Sequence, residues 1–173
     1  MSNKVLRFSA LCAALFSVGA ACAASIVVPE KLQTPPALKL AVEANAVGVQ
    51  IYSCTAAASA KPGWILKAPE ATLYDAAGTK LARHYAGPTW EAIDGSKVVG
   101  KLKASATPSD DAIAWLLLDV KSTQGKGTFG KIKAVQRLAT EAGKAPADGC
   151  TKADLGKEVR VPYKAVYRFY TAA

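Results

Sequence analysis

Hydrophobic and polar residues alternate with period two along most of this chain, which is the signature of half-buried β-strands. Lys97–Ala104 shows it plainly: Val98, Gly100, Leu102 and Ala104 share one face, and Lys97, Lys101 and Lys103 take the other. Near the C-terminus Val161, Tyr163, Ala165, Tyr167 and Phe169 fall on one side, with Arg160, Lys164 and Arg168 opposite. Pro162 denies that strand one ladder hydrogen bond, which predicts that it starts at a sheet edge. Val47, Val49 and Ile51 repeat the alternation just before Cys54. In Ala112–Val120 both faces are apolar, with Ile113, Trp115 and Leu117 on one and Ala114, Leu116 and Leu118 on the other. Such a strand is expected to be central or covered.

Turn chemistry separates these runs. Asp94-Gly95 lies between Thr89–Ile93 and Lys97–Ala104 and readily takes the positive φ angles of a tight hairpin. Ala76-Ala77-Gly78 suits a slightly longer hairpin loop between Glu70–Asp75 and Lys80–Tyr85. Pro35-Pro36 marks an extended lead-in. Thr140–Glu158 reads as a long loop with a helical turn near Lys152–Leu155. Many short strands, no internal repeat and no long amphipathic helix predict an all-β, single-domain antiparallel β-sandwich, with a flattened β-barrel as the alternative.

The N-terminus departs from this pattern. Lys4 and Arg7 precede the uncharged apolar run Phe8–Ala20, and Ala21-Cys22-Ala23 fits the small-x-small rule of a signal peptidase site. Residues 1–23 are therefore expected to be a signal peptide, 24–46 a Pro-containing lead-in and 47–173 the β-domain. Export to the periplasm or the medium follows from that reading. A lipid anchor at Cys22 is the alternative, although Gly19 stands where lipoproteins usually carry a large aliphatic residue. The expected mature chain, about 150 residues, is large enough to bury a core without help.

Charge adds a second constraint. The full chain carries a net charge of +9, and loss of Lys4 and Arg7 with the leader leaves +7. An exported basic protein meets acidic envelope polymers and anionic headgroups rather than nucleic acid, for which no basic helix is evident. The basic residues also fit the solvated faces of strands. Beyond the leader only Cys54 and Cys150 remain. In an oxidising compartment they are expected to form a disulfide, with buried free thiols as the alternative.

The densest polar-aromatic stretch runs from His84 through Tyr85, Trp90 and Glu91 to Asp94. These five are the candidate ligand-binding residues, since such a set can hold a carbohydrate or perform acid–base chemistry. Strand alternation places Trp90 and Glu91 on opposite faces, which argues against both touching one ligand. No Gly-x-Ser-x-Gly elbow accompanies His84, the single histidine. One histidine and two paired cysteines cannot make an ordinary transition-metal site, so no metal and no cofactor is expected. A calcium ion at Asp110 and Asp111 is the remaining alternative. Gly125–Gly130 matches a glycine-rich nucleotide loop in letters only, because no helix follows it.

Several stretches together resemble a family of small secreted bacterial and fungal proteins that carry a single domain of unknown function. They include Gly48-Val49-Gln50-Ile51-Tyr52-Ser53-Cys54, Leu66–Asp75, His84–Glu91, Asp94-Gly95-Ser96, Gly127-Thr128-Phe129-Gly130, Gln136-Arg137, Gly149-Cys150 and Val161-Pro162-Tyr163. The resemblance spans nearly the whole chain beyond the leader. It implies export and a β-rich domain, and it transfers no catalytic residue. The expected function is a non-catalytic binding module for a carbohydrate or an acidic envelope polymer. A small hydrolase using His84, Glu91 or Asp94, and a structural or inhibitory partner of another secreted protein, are the alternatives.

Overall fold

The computed structural model describes residues 25–56 and 61–173. The expected leader, its cleavage site and Cys22 lie outside the described residues. Eight strands follow in order: β1 (Leu38–Thr55), β2 (Gly63–Tyr74), β3 (Lys80–Tyr85), β4 (Thr89–Ala92), β5 (Lys97–Ala106), β6 (Trp115–Gln124), β7 (Ala134–Ala142) and β8 (Glu158–Ala172). Each strand pairs antiparallel with the next, and β8 pairs along nearly its whole length with β1. The all-β antiparallel expectation is what the structure shows. All eight strands belong to one closed sheet, so the two layers of the expected sandwich are opposite walls of a single barrel.

Closure leaves Pro162 only a local edge. It faces Val49 on β1, whereas the β7 ladder ends one residue later at Tyr163, so the missing N–H breaks no bond on that side. The first part of β6, Trp115–Leu118, is covered on both faces, as its composition predicts. Leu118 packs inside the barrel, and Leu117 lies outside beneath the N-terminal segment.

Large and small side chains share the interior. Trp90, Phe129, Tyr163, Tyr167 and Phe169 fill it, and Ala44, Ala46, Ala71, Ala82 and Ala92 fit around them. Gly100 makes room for the largest: a Cβ there would stand 3.1 Å from the Trp90 ring. This packing corrects the expected sense of β1. Its inward residues are Ala44, Ala46 and Gln50, and Val47 is 51% exposed. The alternation is present, but aromatic rings on β4 and β8 leave space only for small side chains at Ala44 and Ala46. On β5 the expected face also breaks. Leu102 keeps the inner face opposite Leu118 but is 57% exposed near the barrel end, and the ladder then skips Lys103, so Ala104 turns to the outer cluster.

The expected lead-in contributes structure of its own. Residues 38–46 are the first half of β1, and a 3-10 turn at Glu30–Leu32 straps the outside of the barrel. Leu32 is fully buried there against Ala106, Leu117, Ala134 and Leu138. Its carbonyl accepts a hydrogen bond from Gln136 Nε2 at 2.6 Å, and Tyr170 donates to Gln136 Oε1 at 2.7 Å.

The two ends of the barrel differ, because consecutive hairpins alternate between them. One end carries the β2–β3, β4–β5 and β6–β7 turns and is closed. At the Asp94-Gly95 turn Gly95 takes φ 81°. Asp94 accepts hydrogen bonds from the Ser96 and Thr128 backbones and hydroxyls, and Ser96 Oγ accepts from Phe129 N. These bonds hold the Asp94 carboxyl well below its usual range, Ser96 contributing most. They seat Phe129 against Phe169, ring centroids 4.5 Å apart. The glycine-rich Gly125–Gly130 stretch is thus the plug of the barrel.

Candidate functional site

The opposite end carries the β1–β2, β3–β4, β5–β6 and β7–β8 connections, and the interior opens there. An eight-stranded barrel is just wide enough to be filled by side chains or to hold one small ligand. In this one the filling stops short, and a cavity of ≈ 310 Å³ remains. Its floor and wall include Gln50, His84, Trp90, Arg137 and Tyr167, and its rim includes Leu66, Pro69, Pro88, Leu102 and Leu116.

Arg137 dominates the electrostatics. It sits on β7 just before a bulge at Leu138–Glu141, where Ala139 takes φ 45° and Ala142 φ 54°. Strained backbone of this kind persists only where the surroundings hold it. Thr140 is pinned to the Ile113 carbonyl, and Arg137 donates through Nε and Nη2 to the Ala114 carbonyl at 3.1 and 2.8 Å. Those bonds orient the guanidinium without neutralising it. Among the described residues no carboxylate pairs with Arg137.

Two other residues lining this cavity, on β1 and β4, are unsatisfied. Gln50 Nε2 and Trp90 Nε1 are buried without a hydrogen-bond partner among the described residues. Each such group costs about 1–3 kcal/mol of desolvation when left unpaired. The tyrosine hydroxyls are better served: Tyr163 and Tyr167 lie 3.4 Å apart, and Tyr52 donates to the Gly143 carbonyl at 2.7 Å. Burial holds Tyr163 and Tyr167 above the usual phenol range.

His84 is buried, stacked on Trp90 with centroids 4.4 Å apart and planes 7° from parallel. Its pKa is pushed down to about 3, mainly by burial and further by the Arg137 charge, against the hydrogen bond to Thr89. Nδ1 lies 2.8 Å from the Thr89 carbonyl. A carbonyl only accepts, so the neutral ring keeps its proton on Nδ1 and leaves Nε2 as an acceptor.

The five candidate residues do not converge. His84 and Trp90 point into the barrel, facing one another across β3 and β4. Glu91 lies on the outer surface, where Arg83 at 2.8 Å, the Tyr85 hydroxyl at 2.9 Å and Lys97 at 3.6 Å hold its carboxyl below the usual range. Asp94 belongs to the closed end. An outer groove of ≈ 650 Å³ along β1–β4 is lined by Lys80, Arg83, Tyr85, Glu91, Lys97 and Arg160. Most of its cations are already paired, Arg83 and Lys97 with Glu91, and Arg160 with Glu70. Gln50 and Arg137 were not singled out as site residues by sequence reasoning. The available signal was a charged residue among the apolar positions of Ala134–Leu138. Among the described residues no three His, Cys, Asp or Glu side chains group as metal ligands, Asp110 and Asp111 included.

The open end is tied together covalently. Cys54 and Cys150 form a disulfide, their Cα atoms 5.4 Å apart. Trp64 Nε1 donates to the Asp148 carbonyl at 2.8 Å, and Cys54 N donates to the Lys157 carbonyl at 2.9 Å. The expected helical turn is the 3-10 turn Lys152–Asp154, capped by Thr151. No described helix is long and apolar enough to cross a membrane.

One family model matches the chain, over residues 35–171, and its description is protein of unknown function (DUF3455). Neither the curated proteins nor the solved structures contain a match.

Proposed function

The chain belongs to that family of unknown function, and we propose from its own residues that it is a non-catalytic binding module whose site is the open end of the barrel. The observation that supports this reading is an oriented, unpaired guanidinium beside two buried unpartnered donors in a cavity. Buried polar groups normally find partners, and a ligand that brings acceptors supplies them here. Of the two expected ligand classes, an acidic envelope component fits these donors. A sugar stacked on Trp90 fits less well, because His84 and Tyr167 already pack against that ring. We further propose that the protein is exported, with the mature chain starting at Ala24 or Ser25 and the disulfide formed outside the cytoplasm. A cavity near 300 Å³ lies at the small end of the usual range for ligand sites, so the bound group is compact.

Binding arrays of acidic and neutral glycans, run beside hydrolase screens on one preparation, test the reading. Acidic ligands should be retained by wild type and lost from Arg137→Gln, with no turnover of any substrate. Turnover abolished by both Glu91→Gln and His84→Ala would establish the hydrolase alternative instead.

A further inference from the structure

The cavity has two chemical zones, and together they describe its ligand more closely than the proposed function does. The deep part of the cavity is rich in donors, contributed by β1, β4 and β7. Arg137 has guanidinium N–H groups beyond those spent on Ala114, and Gln50 Nε2 and Trp90 Nε1 have no partner among the described residues. The acceptors there are His84 Nε2 and the Tyr163 and Tyr167 hydroxyls, which lie 3.4 Å apart, Tyr167 also taking a hydrogen bond from Arg137. A group that satisfies this set is a hydrogen-bond acceptor with negative charge. Guanidinium and carboxylate match in shape and charge, and their bonds are about twice as strong as neutral ones.

The rim is of opposite character. Leu66 and Leu102 are 51% and 57% exposed at the mouth, beside Pro69, Pro88 and Leu116. Leu102 stands opposite Leu118 on the inner face, and the ladder skips Lys103 directly after it, so an apolar side chain sits beside a bulge at this opening. Bulges commonly re-aim side chains beside functional sites. A purely polar ligand such as a uronic acid would leave this rim in water.

We propose that the ligand is a compact amphiphilic carboxylate, its acid group held at Arg137, Gln50 and Trp90 and its apolar body passing out between Leu66 and Leu102. This inference rests on the reading of the open end as a binding site. It adds the demand that charge and an apolar body be present in one molecule.

Octanoate is the probe, with octanol as the same body without charge and glucuronate as charge without the body. Isothermal titration of the disulfide-intact protein should show octanoate binding at least tenfold more tightly than either. Arg137→Gln should weaken octanoate at least tenfold, and Arg137→Lys less. Leu102→Ser, at an exposed position, should weaken octanoate with an unchanged melting temperature and leave glucuronate unaffected. Should Arg137→Gln fail to melt cooperatively, the three-probe comparison on wild type and Leu102→Ser decides the matter. Octanol binding as well as octanoate would overturn the proposal. Glucuronate binding at Arg137 more tightly than octanoate would also overturn it, while leaving the acidic-ligand reading intact. If neither acid binds in an Arg137-dependent way, both fall.

Discussion

His84 shows how one residue type can suggest one chemistry and its surroundings impose another. A lone histidine beside two carboxylates reads as a candidate acid–base residue. In the barrel it is stacked on Trp90 and kept neutral, with a pKa pushed down to about 3. An unfolded imidazole titrates near about 6.5. Between those two values the unfolded chain holds a proton that the folded chain refuses. The stabilisation is therefore complete above the unfolded value and is lost as pH falls through this window, by up to about 1.4 kcal/mol per pH unit. Because the chain has a single histidine, the range above carboxylate titration isolates the effect. Urea unfolding from about pH 6.5 down to 4.5 should show wild type losing stability more steeply than His84→Gln. Parallel curves would mean that the ring is protonated inside the fold. The same scale explains what the sequence concealed. His84, Trp90, Glu91 and Asp94 are close along the chain, but strand parity sends the first two inward and Glu91 outward, and the hairpin carries Asp94 to the other end. Arg137 and Gln50 are distant along the chain and meet only when the sheet closes.

Among the elements, the strands and turns were legible because period-two alternation and Asp-Gly chemistry are local signals. The β1 strand was legible as a strand but not in its facing direction. Valine is the better core residue in isolation, and the rings of Trp90 across the barrel and of Tyr167 on the adjacent β8 exclude it. The N-terminal strap was not legible as structure. Leu32 lies in a Pro-containing stretch without alternation, and its buried partners come from β5, β6 and β7. Leu32→Ala should cost about 2–5 kcal/mol of stability, the range for truncating a buried leucine. A loss below about 0.5 kcal/mol, typical of a surface change, would show the strap undocked in solution. The Cys54–Cys150 link was legible by counting. It closes a loop with a sequence separation of 96. Its removal in Cys54→Ala/Cys150→Ala should cost about 2–5 kcal/mol. Hydrogen exchange should rise first in residues 144–157, where few apolar side chains are buried. Alkylation of two thiols in the unfolded, unreduced protein would contradict the link.

Across the whole molecule, closure into a ring gives the chain an inside with two unlike ends. Asp94, Ser96 and Thr128 seat Phe129 in one end, and the other keeps a cavity whose deep part is rich in hydrogen-bond donors. Alternation cannot distinguish two packed layers from one closed sheet, since both bury every second residue. The β1–β8 pairing that separates them joins the two ends of the described sheet. The central claim is that recognition takes place inside the barrel and not in the basic outer groove. An NMR titration with octanoate that follows the side-chain N–H signals of Trp90, Gln50 and Arg137 tests it most directly. The account predicts that these three signals move together while those of Arg83 and Arg160 stay still. Movement confined to Arg83 and Arg160 would place recognition on the outer surface and contradict the account.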